Sequence, residues 1–251
     1  MQEHQIHIRN VAMWVLGMVL CPLGVTLSAR AGFGLSMVEA PVYILYLRVS
    51  QAFPKFTFGM AEYIVQALVL AMLCILIRKF RARYLLSFAT AVMFGVILDG
   101  WRNVIGEEVY AGIAARILAC AAGILLIAFA VACFFRTDLP QEVWEMFVKE
   151  YSTEKEKKMT KVKWIYDITS LVLAVLLSLI LLKKFEITAI GPGTVASTIL
   201  NAPLIGLFGR LIDTVWKDRE NVLTPQKERE ELKKREEEEK RDAEEDENII
   251  P

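Results

Sequence analysis

Six stretches of this chain are apolar enough and long enough to cross a lipid bilayer, and that one feature excludes most folds. A helical span needs about 20 predominantly apolar residues. Candidates cover roughly 11–29, 58–77, 84–101, 112–135, 164–182 and 193–215. The clearest runs from Leu171 to Leu182 with only Ser178 breaking it. The weakest is the last, opened by Gly191-Pro192-Gly193 and interrupted by Asn201 and Pro203. Such breaks are tolerated where neighbouring helices or a water-filled cavity satisfy the freed backbone groups. Hydrophobic residues make up 55% of the chain and come in blocks, whereas a soluble domain breaks its apolar residues up at helical or strand period. The expected fold is an all-α, polytopic membrane helix bundle. Arg9 before an apolar run and Ala29-Arg30-Ala31 after it imitate a signal peptide. The run is long for one and more spans follow, so it reads as a retained first helix.

Basic residues orient the bundle. Arg9, the link between spans two and three (Arg78, Lys79, Arg81, Arg83) and the link between spans four and five (Arg136, Lys149, Lys155, Lys157, Lys158, Lys161, Lys163) lie on one side. The other side holds Arg30, Arg48, Lys55, Arg102, Lys183 and Lys184, half as many. Cytoplasmic loops carry the excess of Lys and Arg. Both termini are therefore expected in the cytoplasm, which an even number of spans permits.

Two linkers contain more than a connection. Residues 138–151 put Val143, Trp144, Phe147, Val148 and Tyr151 on one helical face, the pattern of an interfacial amphipathic helix on the cytoplasmic side. Residues 35–50 are more apolar and include Pro41; they lie at the outer interface or dip in as a re-entrant segment, and the sequence leaves both open. Residues 217–251 hold 9 Lys and Arg against 14 Asp and Glu, and beyond Thr224-Pro225 the charges surround Leu232. Without apolar a and d positions this tail is no coiled coil. It reads as a solvated charged helix or partly disordered tail, with docking of a basic partner as the sharper alternative.

The two halves resemble each other weakly. Arg30 follows span one as Arg136 follows span four, and Glu39 and Glu142 come shortly after each. Glu62 enters span two as Asp167 enters span five. Gly95-x-x-x-Asp99 ends span three as Gly209-x-x-x-Asp213 ends span six, with Trp101 and Trp216 beyond. Three spans per half force the second to insert upside down, as in the inverted repeats of secondary transporters. The domain reading is 1–110 for the first repeat, 111–216 for the second with its amphipathic linker 138–151, and 217–251 for the charged tail.

At this point the motifs resemble a known family. Gly24-Val-x-Leu27, then Arg30-Ala31-Gly32-x-Gly34-x-Ser36-x-x-Glu39, then Phe58-Gly59 and Gln66 are similar to the YczE/YitT-like bacterial membrane proteins. So are Leu139-Pro140-x-Glu142, Lys161-Val162-Lys163, Asp167, Gly193-Thr194 and Pro203-Leu204-Ile205-Gly206. The resemblance covers about residues 10–213. It implies a multi-spanning protein of the bacterial plasma membrane, transporter-like, and supplies no catalytic residues. The second copy departs by losing the glycine pair, since Arg136-Thr137-Asp138-Leu139 stands there.

Charge in hydrocarbon costs at least about 2.5–3.5 kcal/mol at the centre, so ionisable residues near spans are the best pointers to function. Arg30, Glu62 and Asp99 at one mouth and Arg136, Asp167 and Asp213 at the other, together with Glu39 and Glu142 in the links, are candidate gate or ion-binding residues. Inverted repeats would bring Glu62 and Asp99 to Arg30, and Asp167 and Asp213 to Arg136. The plainer reading is snorkelling or structural ion pairing near the interface. Gly32, Gly34, Ser36, Gly191, Gly193 and Asn201 are candidate substrate-lining residues. The glycines also simply permit tight turns, and Gly191-Pro192-Gly193 either exposes a helix N-terminus to an anion or turns the chain into its last span. Arg116 has Glu107 or Glu108 as a possible ion partner, and Trp14, Trp101, Trp164 and Trp216 sit where interfacial anchors belong.

Cys21, Cys74, Cys120 and Cys133 lie in apolar blocks with no CxxC spacing, and His4 and His7 are the only histidines. No metal, cofactor, nucleic-acid partner or enzymatic activity is expected: there is no nucleophile–base pair, metal-ligand spacing or phosphate loop. The leading expectation is a secondary transporter of a small solute or metabolite, with the proton as candidate coupling ion. The alternative is a non-transporting scaffold acting through helix 138–151 and the charged tail.

Overall fold

The structure is a computed structural model that describes residues 2–78, 80–106, 112–137 and 139–215. The expectations for Glu107, Glu108, Trp216 and the tail 217–251 lie outside the described residues. The described residues form eight α-helices: α1 (Gln2–Ala31), α2 (Glu39–Ala52), α3 (Phe58–Ile77), α4 (Arg83–Ile105), α5 (Ile113–Phe134), α6 (Val143–Glu154), α7 (Met159–Leu177) and α8 (Pro192–Val215). A π-helical turn, Ser178–Leu182, extends α7. Among the described residues six segments are long and apolar enough to cross a membrane: Arg9–Ala31, Phe58–Ile77, Tyr84–Ile105, Ile113–Phe134, Lys161–Leu182 and Pro192–Val215. The chain is a polytopic membrane protein.

Local chemistry sets the helix ends. Thr57 caps α3 by accepting the Met60 N–H at 3.1 Å, which satisfies one of the first-turn donors. Arg78 ends α3 and Lys183 ends the π turn, each in the left-handed region, at φ 57° and 55°. The spans then pack by close approach of small residues. A Cβ on Gly24 of α1 would sit 2.8 Å from the Gly123 carbonyl of α5, and Gly59 of α3 lies equally close to Gly95 of α4. Small residues let backbones meet where lipid supplies no hydrophobic drive between helices. The core gathers Met18, Val25, Leu35, Val42, Phe58, Phe94, Leu98, Phe134 and Trp144. Leu68, Ile75, Leu118 and Ile180 point outward, as side chains in contact with lipid do.

The packing has a pattern. α1 packs on α5 and on α4, as α5 packs on α8; α2 packs on α3, as α6 packs on α7; and α2 packs on α7, as α6 packs on α3. Exchanging α1–α4 with α5–α8 maps these contacts onto one another. Two contacts break the pattern: α3 packs extensively on α4 and α4 touches α6, while α7 with α8 and α8 with α2 make no comparable contacts among the described residues.

The amphipathic helix is where the sequence reading needs correction. It spans 143–154 rather than 138–151, and it lies inside the bundle rather than on its surface. After α5 the chain turns inward. Thr137 Oγ1 donates to the Asn10 carbonyl at 3.0 Å, and Trp14 Nε1 and Thr90 Oγ1 both donate to the Pro140 carbonyl, at 2.8 and 3.3 Å. Val143 N–H then reaches Gln66 of α3 at 3.0 Å. Gln66 lies eight residues into α3, about 12 Å along its axis. From there α6 runs back along α3 until Glu150 meets Arg81 and the Tyr84 hydroxyl, each at 3.0 Å. An apolar face with charges opposite suits an interface or a bundle equally well, provided that the buried charges find partners. Glu150 does.

Residues 35–50 also fold inward at their start. α2 begins buried at Glu39, Ala40, Pro41 and Val42, then leads away in the opposite sense from α6. Its Tyr43 and Tyr46 rings pack on Phe58 with centroids 5.2 and 5.7 Å away.

Candidate functional site

The N-terminal ends of α2 and α6 converge on one turn of α3, and Gln66 is the hub. Its Nε2 donates to Glu62 Oε1 at 3.0 Å and to Glu142 Oε2 at 3.2 Å, while its Oε1 accepts from Val143 N. That third bond fixes which way the amide faces, because the Val143 N–H admits only an acceptor. Glu62 Oε1 also accepts the Trp144 indole N–H at 2.9 Å. The Glu39 carboxyl comes within hydrogen-bonding reach of Glu62. Ser36 Oγ accepts the Glu39 N–H at 3.3 Å, tying the start of α2 to the preceding loop. Glu39, Glu62, Gln66 and Glu142 are all buried, Glu62 and Gln66 completely. Among the described residues, Glu39 Oε2 and Glu62 Oε2 have no hydrogen-bond partner, and neither has Oε2 of Glu145, one turn along α6.

Two positive helix ends face these carboxyls. Glu39 is the first residue of α2, and Glu142 is the N-cap of α6. Acidic groups are favoured in the first turn because the unpaired N–H groups there carry partial positive charge. No Lys or Arg pairs with Glu39, Glu62 or Glu142 among the described residues. Three buried carboxyls on converging helices repel one another when ionised.

One turn of α3 away, an aromatic layer separates this centre from a buried guanidinium. Arg102 of α4 lies over the Tyr46 and Phe58 rings, 4.9 and 5.5 Å from their centroids, and donates to the Tyr46 hydroxyl at 3.0 Å. Its Nη1 is buried without a partner. Arg30 Nη2 reaches the Arg102 carbonyl at 3.5 Å.

The structure redistributes the charges that the sequence placed at two mouths. Arg136 and Asp213 form a bidentate pair at 2.6 and 2.7 Å. Asp167 instead binds Lys163, four residues earlier on α7, at 2.8 Å. Asp99 accepts the Gly59 N–H at 2.9 Å, serving the first turn of α3 rather than Arg30. Glu62 does not meet Arg30 either; it meets Glu39 and, through Gln66, Glu142. The reason is backbone geometry. The sequence counts residues along a span, whereas α2 and α6 fold back and bring Glu39 and Glu142 to a level between the mouths.

The candidate substrate-lining glycines form a brace. Gly193 N–H donates to the Phe33 carbonyl at 2.6 Å, Leu35 N–H to the Ala189 carbonyl at 3.0 Å, and Gly191 N–H to Thr194 Oγ1 at 3.1 Å. Those amides are committed within the protein, so the start of α8 has no free donors there to cradle an anion. Gly32 and Gly34 take φ of 66° and 98°. Arg116 stacks on Phe33 and donates to the Ala31 and Gly32 carbonyls at 2.7 and 3.2 Å, capping the end of α1. Asn201 Oδ1 is buried on α8 without a partner, away from the carboxyl centre. Trp14 and Trp101 donate to the Pro140 and Val19 carbonyls and so tie segments together, while Trp164 is exposed. Beside the brace, burial acts upward on the Glu186 carboxyl, but Lys184 at 2.8 Å and the Thr188 hydroxyl at 2.6 Å outweigh it and hold it below its ordinary value.

Sequence reasoning passed over Gln66, Trp144 and Glu145 as functional residues. Glu62 and Gln66 stand at i and i+4, on one helix face, inside a span that is otherwise apolar. Paired polar residues in such a span are the signal that was there to read.

With this geometry in view, comparison with known proteins adds one finding. The model of a family of unknown function, DUF6198, matches residues 8–210. No curated protein and no solved structure matches the chain.

Proposed function

We propose, for a chain that belongs to this family of unknown function, a secondary transporter of a small solute or metabolite, with its site where α2 and α6 meet. One observation carries the reading: two helices too short to span a bilayer aim their N-terminal ends at a shared, buried polar centre. With 14 and 12 residues they are about 21 and 18 Å long, against about 30 Å of hydrocarbon. Helix ends at membrane depth are tolerated where they are buried in protein or line a cavity. Secondary transporters use such discontinuous helices to build midplane sites. In this reading α1–α4 and α5–α8 are inverted repeats, supported by the way their contacts exchange. The α3–α4 contact without an α7–α8 counterpart leaves the second half freer to move. The Arg136–Asp213 pair is then a gate on one side, and the aromatic layer with Arg102 closes the other.

The transporter sits in a bacterial plasma membrane, with both termini cytoplasmic because the basic links share that side. The motif resemblance to the YczE/YitT-like proteins points to the same setting. The reading calls on no catalytic residue, cofactor or metal. The scaffold alternative loses much of its ground, since α6 is buried against α3, α4 and α7 instead of being presented to a partner.

Orientation is tested with single cysteines in a background where Cys21, Cys74, Cys120 and Cys133 are replaced. A thiol at Glu156 should react with a membrane-impermeant maleimide only from the cytoplasmic face, and one at Lys55 only from the opposite face. Both reacting from one face would refute the topology.

Alternating access is tested at the centre. A cysteine replacing Ala61, fully buried beside Glu62, should be labelled slowly from each face in vesicles of opposite orientation. Arg136→Ala should speed labelling from the cytoplasmic face. Protection from both faces in every variant would leave a static bundle, and the scaffold would take its place.

A further inference from the structure

We infer that the Glu39–Glu62 pair holds an exchangeable proton and is the ion site of the protein, an assignment that rests on the transporter reading for its use though not for its detection.

The argument starts from what surrounds the pair. The donors that reach it are committed: Gln66 Nε2 divides its two hydrogens between Glu62 and Glu142, and the Trp144 N–H is on Glu62 Oε1. One oxygen of Glu62 and one of Glu39 are buried and left over, in side chains 0% and 7% exposed. A buried, unpartnered carboxylate oxygen costs more than the same oxygen carrying or sharing a proton. The two acids approach from different helices, so a proton between them bonds the start of α2 to α3.

The neighbours from every packed element support a proton over a metal ion. α1 contributes Cys21, a buried thiol within electrostatic range of Glu39, Glu62, Glu142 and Glu145. α2 contributes Tyr43 one turn beyond Glu39, in the field of Arg30, Arg102 and Glu186. α4 contributes Asp99, which accepts the Gly59 N–H, and Arg102, which donates to the Tyr46 hydroxyl one turn of α3 away; α6 contributes Glu142 and Glu145. α7 contributes Tyr166, whose ring packs on Trp144 and Phe147, and Lys163, the cation acting on Glu145, which is already bonded to Asp167. None of these brings a positive charge into contact with Glu39 or Glu62. Among the described residues no group of three His, Cys, Asp or Glu side chains is arranged to hold a metal ion. A proton needs no coordination sphere and no room.

The consequence is coupling. Removing the proton leaves like charges face to face between α2 and α3, which disfavours the packed arrangement and favours one that admits water. Proton binding then favours closure around the centre, and proton loss favours opening. An ion-driven carrier requires that link between occupancy and conformation.

Infrared spectroscopy of the purified full-length chain in lipid nanodiscs detects the proton directly. At pH 7 the wild type should show a protonated-carboxyl carbonyl band that shifts in deuterium oxide and disappears on alkaline titration. Glu39→Gln should reduce its area, because the amide then donates to an ionised Glu62, and Asp213→Asn should leave it unchanged. No such band in the wild type at pH 7 overturns the proposal, a result that needs no variant to fold. So does a band of equal area in Glu39→Gln. A band abolished by sodium chloride but not by choline chloride at fixed pH would make the occupant a metal cation and overturn it too. The band is read without any solute: a band that behaves as expected in a chain whose Ala61→Cys site is sealed from both faces condemns the transporter reading alone.

Discussion

Replacing Gln66 by leucine should destabilise the folded protein by about 3–6 kcal/mol, the largest loss expected from any near-isosteric change in the chain. The side chain is fully buried and makes three bonds, two to carboxylates and one from the first N–H of α6. Leucine fills nearly the same volume, so no cavity term is involved. What changes is that Glu62 loses one of its two donors, Glu142 loses its donor, and the Val143 N–H loses its acceptor, all away from water. Each orphaned buried group costs about 1–3 kcal/mol, and more where charge is concerned. The measurement is resistance to denaturation in detergent, compared with Gln66→Glu. Glutamate keeps the acceptor for Val143 but adds another carboxyl, so it should be rescued by acid where leucine is not. Leucine within about 1 kcal/mol of the wild type would mean that the network of bonds around Gln66 does not form.

The second large effect is expected at Gly34, where a single methyl group should cost about 2–5 kcal/mol. The backbone there has φ of 98°, and a Cβ would run into the Gly191 amide nitrogen and Thr194 Oγ1. Left-handed backbone costs an L-residue about 1–2 kcal/mol, and overpacking adds about 1–3 kcal/mol. The obstacle is backbone on the far side, which cannot swing away as a side chain can. Gly100 is the control. It lies inside α4 with nothing within 4 Å of a built Cβ, so alanine there should be neutral or stabilising by up to about 1 kcal/mol. Thermal unfolding in detergent separates the two. Equal melting temperatures for the two alanine variants would show that the loops 32–36 and 189–194 do not brace one another.

The sequence alone determined the six spans, and it did so because hydrocarbon is a demanding solvent. A backbone that crosses it must close its own hydrogen bonds, so length and apolar content suffice to find the helices. The candidate span starting at 58 begins at that residue in the structure, where Thr57 is the cap; the one starting at 193 begins a residue earlier, at Pro192, which suits the first turn of a helix. The short helices were visible only as patterns. Val143 and Phe147 face the same way whether they meet lipid headgroups or Leu73 and Tyr84, and periodicity carries no information about which.

What the tertiary structure decided is the site. Glu39, Glu62 and Glu142 were each legible as suspicious, but counting along a span placed Glu62 at one mouth and said nothing of the depth that Glu39 and Glu142 reach. Two chain reversals, after Ala31 and after Phe134, undo that count and bring the three to one level. Gln66 was invisible as a hub for a related reason. An amide in an apolar helix announces a need for partners, and only the fold says that those partners are a carboxylate on its own helix, a second one 76 residues away, and the first N–H of a helix that had been expected outside.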